Sequence, residues 1–185
     1  MVIINNWYEA YKKISFLLNE FYKFNNEKSS KELAKLLLND KDFLNNNTWA
    51  TKKNNIPKRS FLDPIHIFAS FNYHNIDPKI KIKKIEYYIN TLQKYLDNTM
   101  LVFEKRDEIK LSKNIEFIGI PHINITKLMA DRDSNDQIKI WKVFNGLLSK
   151  YTEDYLTLAF RQVSNWYGIA VPSLTIFLFW IDSSK

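Results

Sequence analysis

Apolar residues recur along most of this chain at intervals of three to four, the spacing that gathers side chains on one face of an α-helix. Trp7, Tyr11, Ile14, Leu18 and Phe21 make one such stripe, with Asn5 or Asn6 placed to cap its start. Ser29 and Glu32 have capping-box spacing, and Leu33, Leu36 and Leu37 follow as the apolar face of a second helix. Residues 39–60 are polar and asparagine-rich, with a lone Trp49, and predict a long loop. Asp63-Pro64 and Asp77-Pro78 each set a good capping residue before a proline suited to the first helical position, so each predicts a helix start. The second helix carries Ile82, Ile85, Ile89, Leu92 and Leu96 on one stripe.

Between residues 100 and 126 the pattern changes to MLVF, IEFIGI and HINI, whose β-branched and aromatic residues around Gly119 and Pro121 predict two or three short strands. Helical spacing returns at Ile140, Trp141, Phe144, Leu147 and Leu148, and again from Thr152 through Tyr155, Leu158, Ala159 and Val163. The segment from Pro172 to Ile181 fits either a short helix or a buried strand. The expected fold class is α+β: a mostly helical single domain over residues 1–185 with a small β-sheet and a helical N-terminal part over 1–45.

Composition narrows the function. At 45% hydrophobic and 15% aromatic the chain is too rich in core-forming side chains for intrinsic disorder. It has no cysteine, which excludes disulfides, zinc–thiolate sites and thiolate nucleophiles and fits a cytoplasmic setting. The N-terminus lacks the basic and apolar regions of a secretory signal, and the apolar run GIAVPSLTIFLFWID is interrupted by Pro172, Ser173 and Thr175, so no membrane association is expected. Its three glycines make no phosphate cradle and no nucleophile elbow. His66, His74 and His122 have no familiar metal spacing, so neither a metal nor a cofactor is expected.

The net charge of +7 is concentrated in residues 52–84, where eight basic residues face two acidic ones. Such a cluster attracts polyanions through counterion release, so Lys52, Lys53, Lys58, Arg59, Lys79, Lys81, Lys83 and Lys84 are the expected phosphate contacts of a DNA-binding surface. Trp49, Trp166 and Tyr167 lie outside the helical stripes and are candidates for stacking on a base, including one flipped from a duplex. Two other readings stand beside this one. The apolar stripe of 77–97 suits a partner in an assembly module, and Asp107, Glu108 and Lys110, or the histidine-containing segment, hold the residue types of a metal-dependent nuclease.

Three blocks carry a family resemblance. Asp63-Pro64-Ile65-His66-Ile67-Phe68-Ala69-Ser70-Phe71-Asn72 resembles the D-P-F-x-x-F-x-x-F-N block of McrB-type restriction proteins, with Ile65 in place of a phenylalanine. Gly119-Ile120-Pro121-His122-Ile123-Asn124 resembles their G-I-P-x-x-N motif, and the block from Leu174 to Ile181 resembles L-T-x-G-L-F-W-I, with Phe177 in place of the glycine. The blocks stand in the family's order and span residues 60–182. The resemblance implies a non-catalytic region that recognises double-stranded DNA, often at modified bases, followed by an AAA+ GTPase module and served by a separate nuclease subunit. It also implies that more chain would follow. Within the first block Asp63 would cap a helix, Ile65, Phe68 and Phe71 would pack inward, and Asn72 would satisfy backbone groups or take a left-handed turn.

Overall fold

A computed structural model describes residues 1–47, 59–99, 106–118, 120, 134–149, 152, 154, 155, 157, 158, 161 and 171–181. Two apolar stripes of the sequence set its frame: a first helix, α1 (Trp7–Asn25), and a long fifth one, α5 (Pro78–Thr99), which pack on each other. Asn6 caps α1, its Oδ1 accepting from Glu9 N at 2.8 Å, and Ala10, Tyr11, Ile14, Leu17, Leu18 and Phe21 are buried. Trp7, at the stripe's end, is only partly buried and stacks on Phe179 at 5.8 Å. The helix stops at Asn26, whose φ of 52° no regular helix continues.

The expected capping box at Ser29 does not form. A 3₁₀ turn at Asn26–Lys28 runs directly into α2 (Ser29–Leu38), so Ser29 is already helical and its hydroxyl donates back to Asn26 O at 2.5 Å. Glu32 pairs with Lys35 instead. The loop expected over 39–60 contains a helix, α3 (Lys41–Asn46). Asp40 caps it, accepting from Asp42 N and Phe43 N, and Phe43 and Leu44 anchor it in the core.

Both Asp-Pro pairs open helices. Asp63 caps α4 (Pro64–Ala69) in a capping box with His66, and every residue of α4 is buried. Asp77 caps α5, its Oδ1 accepting from Lys79 N at 2.7 Å and Ile80 N at 3.2 Å. Ile85, Ile89, Leu92 and Leu96 of α5 are buried in the chain's own core, and Tyr95 sits 4.9 Å from Phe21. The stripe that suited an outside partner is thus occupied from within.

The small sheet expected is present, and its described strands lie outside the three segments expected to form it. Among the described residues it has two parallel strands, β1 (Val2–Ile4) and β2 (Ile109–Leu111), with Val2 opposite Ile109 and Ile4 opposite Leu111. Residues 115–118 and 120 are not strand, while 100–105, 119 and 121–126 lie outside the described residues. The outer edge of β2 is closed by side chains of α5: Asn90 bonds both N–H and C=O of Ile109, at 2.9 and 2.8 Å, and Glu86 accepts from Leu111 N at 2.6 Å. An edge satisfied by a helix needs no third strand on that side.

Two further helices complete the core. On α6 (Ser134–Ser149), Ile140, Trp141, Phe144 and Leu147 are buried, and Trp141 Nε1 donates to Leu62 O at 3.2 Å. The described residues among 154–161 are helical. The ambiguous C-terminal segment is a helix, α7 (Val171–Ile181), held to α1 by Ser15 Oγ donating to Ile181 O at 3.0 Å. No helix among the described residues is long and apolar enough to cross a membrane.

Candidate nucleic-acid interface

The lysines of α5 are sorted by helical phase. Lys81 and Lys84 share a face with Ile85, Tyr88 and Leu92 and are buried, at 2% and 8% exposure, whereas Lys79 and Lys83 share the opposite face with Glu86 and Asn90 and are exposed. Lys81 and Lys84 are therefore not surface phosphate contacts, which corrects the reading from charge alone. The correction was available in the sequence, because the stripe 81–85–88–92 keeps the period of the core.

Each buried ammonium is held by neutral oxygen atoms and aromatic faces. Lys81 Nζ donates to Asn72 Oδ1 at 2.9 Å and lies 4.5 Å from the Phe117 ring and 5.7 Å from the Tyr11 ring. Lys84 Nζ donates to Asn47 Oδ1 at 3.1 Å and Ser70 O at 3.0 Å, with the Tyr73 ring at 5.5 Å. No described carboxylate lies within ion-pair distance of either. Burial pushes Lys81 down to about 7 and Lys84 down to about 8.

Asn72, the last residue of the first family-like block, is the hub of this network. Its Nδ2 donates to Phe68 O at 2.8 Å, closing the end of α4, and its Oδ1 also receives the Tyr11 hydroxyl. The left-handed turn falls instead on Asn75, at φ 62°. Ile65, Phe68 and Phe71 are buried, so the block is scaffold around a buried cation.

Arg59 also points inward. It is half-buried, with Nη1 2.8 Å from His66 Nε2, while His66 Nδ1 lies 3.0 Å from Asp63 Oδ1. A guanidinium donates only, so Nε2 accepts from Arg59. Arg59 thus joins the cap of α4 rather than an open phosphate surface. Lys52, Lys53, Lys58, Trp49, Trp166 and Tyr167 lie outside the described residues.

What the fold does assemble is a basic groove that charge clustering found only in part. Glu86 bonds Leu111 and Asn90 bonds Ile109, so β2 runs opposite in direction to α5 and its end faces the start of the helix. There Lys79 and Lys83 of α5 meet Lys110 and Lys113 around a groove of about 560 Å³, floored by Ile82 and Leu111. Lys79, Lys83 and Lys113 make no ion pair among the described residues; Lys110 pairs with Glu108 at 2.8 Å, which raises its pKa. Among the described residues that line the groove Glu86 is the one acid, and one of its oxygens is committed to the β2 backbone. Lys110 and Lys113 were missed because they are far from residues 52–84 in sequence and join the cluster only through β2.

The residues weighed for a nuclease are arranged otherwise. Asp107 is 3.2 Å from the N-terminal amine of Met1, and Glu108 pairs with Lys110. Among the described residues no group of three or more histidines and carboxylates is placed to hold a metal ion. A second cleft, of about 240 Å³, holds Asp97, which fixes Arg106 through both its backbone N–H and its Nε at 3.1 Å. Its charges are mixed and paired, and it serves to anchor the strand entry. Comparison with family models, with curated proteins and with solved structures returned no match.

Proposed function

We propose that this chain is a non-catalytic, cytoplasmic DNA-binding domain that holds phosphates with Lys79, Lys83, Lys110 and Lys113. On the three-block resemblance, it is the target-recognition region of a McrB-type restriction protein that works with an AAA+ GTPase module and a separate nuclease subunit. The observation that carries the binding reading is the groove: Lys79 and Lys83 of α5, Lys113 of the turn after β2, and Lys110, paired with Glu108, line it with Glu86. Like charges brought together cost stability unless a ligand of opposite charge is met, and phosphate is the anion that occurs in matching rows.

Fluorescence anisotropy with unmodified, 5-methylcytosine and N6-methyladenine duplexes tests the reading. The double variant Lys83→Ala, Lys113→Ala should weaken every duplex about tenfold at 0.15 M salt and flatten the salt dependence by about two units of slope. Lys81→Met, buried beneath the surface, should leave affinity within about twofold. Unchanged affinity in the double variant would refute the groove as the contact surface. A preference for one modified duplex that survives high salt supports the restriction-type assignment.

A further inference from the structure

The shape of the groove says more than its charge. Its rim is lysine, but its floor is the partly buried Ile82 and the buried Leu111, and it lies between a helix and a strand. A duplex presents its backbone and the edges of its bases, keeps the base faces stacked inside, and is far wider than such a cleft. Its rim lysines could touch it, but nothing on it would cover the floor. An unpaired strand has both parts: phosphates for the rim and base faces for the apolar floor. A volume of about 560 Å³ fits one or two nucleotides, within the ordinary range of ligand pockets. Lys79 and Lys83, four residues apart on one helix face, stand about 6 Å apart along the axis, a spacing that suits successive phosphates of an extended strand.

The floor also has a polar reader. One Glu86 oxygen accepts from Leu111 N, which fixes the carboxylate, and its second oxygen has no described donor. A fixed carboxylate accepts from the exocyclic amino group of cytosine and repels the carbonyl oxygen at the same position of thymine. We infer that the groove takes an unpaired DNA strand, with Lys79, Lys83, Lys110 and Lys113 on its phosphates and Glu86 favouring amino-bearing bases, cytosine before thymine. This rests on the DNA-binding reading above and specifies the form of DNA that the groove accepts.

The test is anisotropy at pH 8 with a mixed-sequence single strand, its blunt duplex, the same duplex carrying a five-nucleotide bubble, and oligo(dC) and oligo(dT) of equal length. The single strand and the bubbled duplex should bind about tenfold more tightly than the blunt duplex. Oligo(dC) should exceed oligo(dT) about fivefold, and Glu86→Gln, whose free amide nitrogen donates, should reverse that ratio. Binding of the blunt duplex equal to or tighter than the single strand overturns the inference and leaves the DNA-binding reading standing. A dC to dT ratio of one or less in the unaltered protein overturns it as well. No binding to any of the five probes removes the DNA-binding reading itself. The comparison of probes uses the unaltered protein, so it holds whether or not Glu86→Gln folds.

Discussion

Replacing Lys81 with methionine takes a cation out of the core and leaves a side chain of similar length. The lysine donates to Asn72 Oδ1, but that oxygen also holds the Tyr11 hydroxyl, so the substitution orphans no acceptor. Burial lowers Lys81 from 10.5 to about 7, which at about 1.4 kcal/mol per unit is a penalty near 5 kcal/mol on the charged form. A lowered folded value means that the unfolded chain binds more protons between pH 7 and 10.5. Stability therefore rises with pH across that window, and the penalty is fully present only below about pH 7. From pH 6 to 9 the gain from Lys81 alone is about 3 kcal/mol, and Lys84, lowered to about 8, adds about 1 kcal/mol. Urea unfolding followed by tryptophan fluorescence at pH 6, 7.5 and 9 reads this out, since Trp141 and Trp180 are buried. Lys81→Met should be the more stable protein at pH 6, and the difference from the parent should shrink by about 3 kcal/mol by pH 9. A variant destabilised by about 3–5 kcal/mol at pH 6 would instead mean that the ammonium is paired with a carboxylate, which would sink the argument.

Other substitutions probe the scaffold around the groove. Asp63→Ala removes the cap of α4 and the partner of His66 in a fully buried site, and should lower stability by about 2–4 kcal/mol in urea titrations. Its DNA affinity, measured where the variant is still folded, should be unchanged. Asn90→Leu leaves both backbone groups of Ile109 without their partner and should cost about 2–3 kcal/mol, with faster amide exchange at Ile109; slow exchange there would mean that the strand edge is not closed by α5. Tyr88→Phe deletes the hydroxyl bonded to Ser70 at 2.6 Å, while Ser70 keeps its bond to Ile67 O, so a loss of only about 1 kcal/mol is expected from thermal melts.

The legible parts of the fold were those encoded by local chemistry. Asn6, Asp63 and Asp77 cap the helices at which their side chains were expected to, and the stripes of α1, α5 and α6 are buried but for the partly buried Trp7, Ile82 and Leu148. The failures come from competition at a distance. Ser29 has capping-box spacing, but a preceding 3₁₀ turn already supplies helical backbone. Asp40 was hidden in an asparagine-rich stretch although it caps α3 as well as Asp63 caps α4. A small sheet was expected, but its described strands, Val2–Ile4 and Ile109–Leu111, lie about a hundred residues apart, and no spacing rule pairs segments so distant.

The same division explains the candidate site. Counting charge treats Lys79, Lys81, Lys83 and Lys84 as one patch, but a helix turns about 100° per residue and sends alternate lysines to opposite faces. Lys81 and Lys84 order the end of α4 and the Ser70–Asn72 segment from inside, while Lys79 and Lys83 are left for solvent and for whatever binds there. On the proposed function, rigidity and recognition come from one helix through two separable pairs. Neutralising the inner pair should alter stability and its pH dependence with affinity held, and neutralising the outer pair should alter affinity and its salt dependence with stability held. A variant of Lys83 that lost stability and affinity together would show that the two faces are coupled, and the helix would then be a single unit whose exposed lysines are part of the fold.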